Sequence, residues 1–173
     1  MRQILALLLI LGASAYGQSG TNSITNPPSS MSTMSKKEIV GTFLGAVLQN
    51  DPATLRELAN KNYIQHNPFI PTGLEPFIQM LPVLQESGTK AENIRMFQDG
   101  NYIFMHNIWR NAEPFGAAEM VSFDIIRLDE NGKVAEHWDA MTILVRETAS
   151  GRSQTDGPTT VEDPEKTEAN KKL

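Results

Sequence analysis

The sequence contains no cysteine. That excludes a disulfide framework, a lipid-anchored N-terminal cysteine and any chemistry that needs a thiolate. Basic clusters are missing as well. Lys and Arg number 15 against 20 Asp and Glu, giving a net charge of −5, and no basic run is interleaved with aromatics. A nucleic-acid surface is excluded on those grounds. The longest apolar run, residues 4–11, is too short to span a bilayer. Tight metal-ligand spacings such as H-x-H or H-E-x-x-H do not occur, nor do G-x-S-x-G, a P-loop, a dinucleotide fingerprint or an internal repeat. What is left is a small, mildly acidic domain whose 40% apolar content suffices for a core.

The N-terminus, MRQILALLLILGASAYGQ, has one arginine, then the apolar run, then small residues. That order is the order of a secretory signal. The expectation is therefore a signal peptide over residues 1–17, cleaved after Ala15 or Gly17, and an exported protein, secreted or periplasmic. Once the signal is removed, no membrane association is expected. Residues 18–34 lack periodicity and read as a flexible leader. The folded domain is expected over 35–147, followed by a polar C-terminal tail over 148–173.

Within the domain, Ser35 and Glu38 fit a capping box. Ile39, Val40, Phe43, Leu44, Val47 and Leu48 then recur at helical spacing. Asp51-Pro52 starts a second, short helix. Residues 63–73 read as an extended piece entering a Pro-rich loop, and 75–85 as a third helix closed or kinked at Pro82. From there the period drops from 3.6 to 2. Two hairpins follow, one turning at Asp99-Gly100 and one at 129–132. Helices first and hairpins afterwards predict an α+β fold with helices on one sheet face. In the tail, Asp163-Pro164-Glu165 is a helix start that needs a surface to lie on.

The three histidines, His66, His106 and His137, all fall on strands or strand ends. Alternation puts His137, Asp139 and Met141 on one face of the last strand and Trp138 on the other. On the strand before it, Asp124 lies in the row Met120, Ser122, Asp124, Ile126, Leu128. A carboxylate in such a row is costly unless it is paired or lines a cavity. A four-residue loop would set Asp124 opposite His137, and a two-residue turn would set it opposite Asp139. Both registers bring the three onto one face. On the first hairpin, Tyr102, Phe104 and His106 share a face. Each residue alone has a plain structural explanation. Jointly they predict a pocket with an acid–base site. Three histidines plus Asp124 are a possible ligand set for a metal, but the spacing is not that of a metal site, so neither metal nor cofactor is expected.

The elements YIQHNP (63–68), QDGNYIFMHN (98–107), FDIIRLDENGKVAEHWD (123–139) and DGPTTVEDPEKTEANK (156–171) resemble the SnoaL-like proteins. These are polyketide-cyclase relatives within the nuclear-transport-factor-2-like superfamily. The resemblance implies a cone-shaped α+β barrel, with three N-terminal helices packed on a curved, mostly antiparallel sheet around a pocket. It also implies a homodimer paired through the sheet. The activity it implies is acid–base catalysis without a cofactor (aldol cyclase, isomerase or lyase type) on a small hydrophobic carbonyl compound. A non-catalytic binding module with the same pocket is the alternative. The catalytic candidates are Asp124, His137, Asp139 and His106. Asp124 or Asp139 would be the base, His137 its partner, and His106 or His66 the group polarising the enolate. The ligand-binding candidates are His66, Tyr63, Tyr102, Phe104, Trp138 and Met141. Where many relatives carry a second histidine, two residues after the first, this chain has Ile108.

Overall fold

The computed structural model describes residues 33–160 and 162–172. The expected signal segment, and the leader up to residue 32, lie outside the described residues. The chain forms α1 (Lys36–Gln49), α2 (Pro52–Leu58), β1 (Ala59–Gln65), α3 (Leu74–Glu86), β2 (Lys90–Asp99), β3 (Tyr102–Arg110), β4 (Glu119–Leu128), β5 (Val134–Ile143) and a short α4 (Thr167–Asn170).

The helix starts follow from local chemistry. Ser35 Oγ accepts from the Glu38 N–H while Glu38 accepts from the Ser35 N–H, a complete capping box. Asp51 caps α2 by accepting from the Ala53 and Thr54 N–H groups, and Pro52 fills the first helical position. Pro82 lies inside α3 and does not close it. Leu81 and Leu84, flanking it, are buried, so packing of the inner face outweighs the one hydrogen bond that Pro82 removes.

The strands form one five-stranded sheet in the order β1-β5-β4-β3-β2. β1 runs parallel to β5, and every other pairing is antiparallel. This is the expected α+β class with a mostly antiparallel sheet, but β1 and β2 are free edges and the sheet does not close into a barrel. The helices cover one face, and the main core lies between, around Val40, Leu55, Leu81, Ile103, Leu128 and Val134.

Two bulges decide which side chains reach that core. Between β4 and β5, Leu128 pairs with Val134 but Arg127 pairs with Glu136. Ala135 is thus an extra residue. The loop is longer than either turn considered from the sequence, and its register at Leu128 would place Asp124 between His137 and Asp139 in parity. The bulge restores the register of the two-residue turn, with Asp124 opposite Asp139. It also makes Val134 and Ala135 both buried, where simple alternation put Val134 beside Trp138. Between β2 and β3, Asn93 pairs with Asn107 and Arg95 with His106. The extra residue, Ile94, sends Arg95 to the outer sheet face.

The tail crosses that outer face. Arg95 Nη2 donates to the carbonyls of Thr155 and Asp156 at 3.0 Å each, the Val145 N–H donates to Gln154 Oε1, and Lys171 pairs with Asp99 at 2.7 Å. The surface that the tail needed is its own sheet.

Candidate functional site

A cavity of about 60 Å³ lies between the helices and the inner sheet face. Most of its wall is apolar, with Phe43, Phe77, Met105 and Met141 among the lining residues, and its polar groups are Tyr63, Gln65, Asp124, His137 and Asp139. β1, β4 and β5 deliver these five by alternation. Tyr63 and Gln65 are buried positions of β1. Gln65 is the direct partner of His137 across the parallel pairing.

The protons of this site follow from its hydrogen bonds. The backbone N–H of Asn67 donates to Gln65 Oε1 at 3.0 Å. A main-chain N–H can only donate, so that atom is the amide oxygen and the Gln65 amide has one orientation. His137 Nδ1 lies 3.0 Å from the same oxygen and must carry hydrogen. Its other nitrogen, Nε2, lies 3.1 Å from Asp124 Oδ1. Two lone pairs do not meet at that distance, so one proton sits between them. Asp124 Oδ2 accepts from Asn107 Nδ2 at 2.8 Å and from the Ser122 hydroxyl. Ser122 Oγ itself accepts from Trp109 Nε1 at 2.8 Å, which leaves its hydrogen for the carboxylate. Two donors on Oδ2 favour a carboxylate, with the shared proton on the imidazole. Asp124 is 4% exposed, and the pair stands where water is scarce.

Asp139 is held differently. One donor, Asn67 Nδ2, spans both of its oxygens at 3.0 and 2.7 Å. Most of its lone pairs stay open to the cavity. The structure therefore places a proton-holding pair beside a carboxylate with accepting capacity. Asp124, His137 and Asp139 each present a ligand atom within 4.8 Å of the others. They could grip a cation only by giving up the Asp124–His137 contact.

Of the candidates, Asp124, His137, Asp139, Tyr63 and Met141 line the cavity, and His66, His106, Tyr102, Phe104 and Trp138 do not. His106, Tyr102 and Phe104 face outwards, because on β3 the inward parity belongs to Ile103, Met105, Asn107 and Trp109. His66 and Trp138 stack on each other at 4.8 Å on the outer face, and His66 Nε2 meets Glu136 at 2.8 Å. The three-histidine ligand set therefore does not assemble. Gln65, Asn67, Asn107 and Ser122 are the site's supporting groups and were not anticipated. Alternation through Tyr63-Gln65 and Asn107-Trp109 was the signal available for them.

His106 belongs to the outer layer. Arg95 Nη1 donates to its Nδ1 at 2.9 Å, so the imidazole is neutral with hydrogen on a buried Nε2 that has no partner among the described residues. Burial pushes its pKa below the ordinary value, Arg95 pushes the same way, and Asp124 opposes them in part. A depressed folded-state pKa means that the unfolded chain takes up the proton first. The contribution is complete above the unfolded value, about 6.5, and is lost as pH falls from there through the folded value. Urea unfolding between pH 7.5 and pH 5 should therefore show a steeper acid loss in the wild type than in His106→Gln. Parallel curves would contradict this.

No family model matches the sequence, and no curated protein matches it. Solved structures do match. A candidate SnoaL-like polyketide cyclase from Shewanella putrefaciens CN-32 aligns with TM-score 0.52 and 18% identity, over 72% of this chain and 92% of that one. An NTF2-like protein of unknown function from Cytophaga hutchinsonii ATCC 33406 aligns with TM-score 0.51 and 14% identity, over 63% and 91%. Wild-type IdmH, a candidate polyketide cyclase from Streptomyces antibioticus, aligns with TM-score 0.50 and 19% identity, over 62% and 92%. The chain thus has the NTF2-like fold that the SnoaL-like resemblance implied. At these identities the likeness is one of fold.

Proposed function

We propose that the protein is a SnoaL-like acid–base enzyme acting on a small hydrophobic carbonyl compound. The observation that carries this reading is the proton required between His137 Nε2 and Asp124 Oδ1, next to Asp139, on an otherwise apolar cavity. On this reading Asp139 is the base. It takes a proton from the carbon α to a carbonyl, and the electron pair left behind moves onto the carbonyl oxygen as an enolate. Asp139 then returns that proton to the intermediate, while His137, held as the imidazolium by Asp124, stabilises the enolate charge beside it. Isomerisation and aldol cyclisation share this first step, and the reverse aldol runs it last, in the opposite direction.

The test is hydrogen–deuterium exchange in D₂O, followed by proton NMR on a panel of small cyclic ketones and 1,3-dicarbonyl compounds. Wild-type protein should speed loss of the α-proton signal from at least one compound. Asp139→Asn and His137→Gln should each lower that rate by about 10²-fold or more, with circular dichroism unchanged. Equal rates in all three would sink the assignment. A binding module without catalysis is the second reading, supported by the fact that every polar group of Asp124 is already bonded within the protein. It would show no exchange and a retained apolar ligand in mass spectra of the purified protein.

Export through residues 1–17 and pairing of two copies through the outer sheet face complete the proposal. The exposure of Phe97, Tyr102 and Phe123 supports the pairing. N-terminal sequencing of the mature protein and its sedimentation coefficient test the two.

A further inference from the structure

An enolate needs a hydrogen-bond donor at its oxygen, and the two histidines expected to supply one, His66 and His106, are on the wrong side of the sheet. The donors facing the cavity can be counted instead. Asp124 and Asp139 accept. His137 has committed Nδ1–H to Gln65 and its other proton to Asp124. Gln65 Nε2 donates to the Tyr63 hydroxyl oxygen at 3.1 Å, and Trp109 donates to Ser122. One donor remains. The Tyr63 oxygen receives the Gln65 hydrogen, so its own hydrogen points elsewhere, and it meets no acceptor among the described residues, although Tyr63 is 1% exposed.

We infer that Tyr63, oriented by Gln65, donates its hydroxyl hydrogen to the carbonyl oxygen of the substrate. This rests on the acid–base reading and adds to it the group that polarises the carbonyl. The chain of constraint begins in the main chain. The Asn67 N–H fixes which end of the Gln65 amide is oxygen. The oxygen end then receives the His137 Nδ1–H, and the nitrogen end turns the phenol into a donor towards the cavity. Gln65 is a positioning residue for both. Burial, and after it the charges of Asp139 and Asp124, raise the Tyr63 pKa well above the ordinary phenol value, so the hydroxyl keeps its hydrogen. The ligand class follows from the same count. One end must offer an oxygen acceptor to Tyr63 and, adjacent to it, an acidic hydrogen to Asp139. The remainder must be apolar and small.

Cyclopentanone and methylenecyclopentane separate this from packing alone, because they share a shape and only the ketone accepts a hydrogen bond. The ketone should bind wild type about tenfold more tightly than Tyr63→Phe, whereas the hydrocarbon binds both within about threefold. The infrared carbonyl stretch of the bound ketone should move to lower wavenumber in wild type and lie at its apolar-solvent position in Tyr63→Phe. In Gln65→Glu the new carboxylate accepts where the amide donated, so the phenol hydrogen turns to it. The stretch shift should vanish there too, with the Tyr63 ring still present. Absence of ketone binding in the wild type, or a stretch shift that survives both substitutions, overturns the inference. Binding needs no proton transfer. Failure here with normal exchange kinetics therefore removes Tyr63 alone, while failure of the exchange assay removes the acid–base reading.

Discussion

Asp124→Ala is expected to destabilise the protein by about 3–5 kcal/mol, the usual cost of removing one partner from a buried ionic contact. Asp124→Asn should cost no more than about 1.5 kcal/mol and still abolish exchange. The difference lies in who is left without a partner. Alanine strands the Ser122 hydroxyl, the Asn107 amide hydrogen and the His137 Nε2 together. The Ser122 hydrogen cannot turn away, because Trp109 occupies the other side of that oxygen. Asparagine satisfies all three. Its oxygen takes the Ser122 and Asn107 hydrogens, and its nitrogen donates to the lone pair of a neutral His137 whose Nδ1–H still faces Gln65. What disappears is the proton that had to sit between the two side chains. Urea unfolding and the D₂O exchange assay, run on both variants, read the two effects apart. If Asp124→Asn keeps its exchange rate, the shared proton has no catalytic part. If Asp124→Ala is as stable as Asp124→Asn, the hydrogen-bond network does not hold the sheet.

Much of this site was legible because strands encode facing by parity. Asp124 among Met120, Ser122, Ile126 and Leu128 announced an inward carboxylate, and all five are buried. His137 and Asp139 followed on the next strand. Parity alone does not say which face is the inner one. On β3, two equally apolar rows competed, Tyr102-Phe104-His106 and Ile103-Met105-Asn107. The outer row is aromatic because it packs beneath Phe97, Phe123 and the tail, and so it imitates a core. Bulges are harder still to anticipate. Ala135 and Ile94 carry no marker such as glycine, yet each reverses the facing of a strand segment. Gln65 and Asn67 are hard to read from sequence for another reason. A neutral amide says little in a sequence, and its weight comes from a partner seventy-two residues away, His137 for one and Asp139 for the other.

The other large effect is expected at Phe77. Its ring is 5% exposed on the inner face of α3, 5.5 Å from the Tyr63 ring and 6.2 Å from that of Phe43. Phe77→Ala should cost about 3–5 kcal/mol through lost burial and the void left behind. For a domain of this size that is a fall in Tm of roughly 10 °C or more. Leu81, one turn further along α3 and 0% exposed, should cost a comparable amount, about 2–5 kcal/mol, on change to alanine. The two differ in where the void opens. Phe77 lines the cavity and Leu81 does not. Removing the Phe77 ring should join its volume to the existing space of about 60 Å³ and admit a fused two-ring ketone such as 2-indanone, since a dry apolar void takes up an apolar ligand of its shape. Leu81→Ala should reject 2-indanone as the wild type does. Equal thermal losses with binding gained only in Phe77→Ala would locate ligand uptake between α3 and β1, within reach of Tyr63. Equal binding in the two variants would mean that the ligand enters elsewhere.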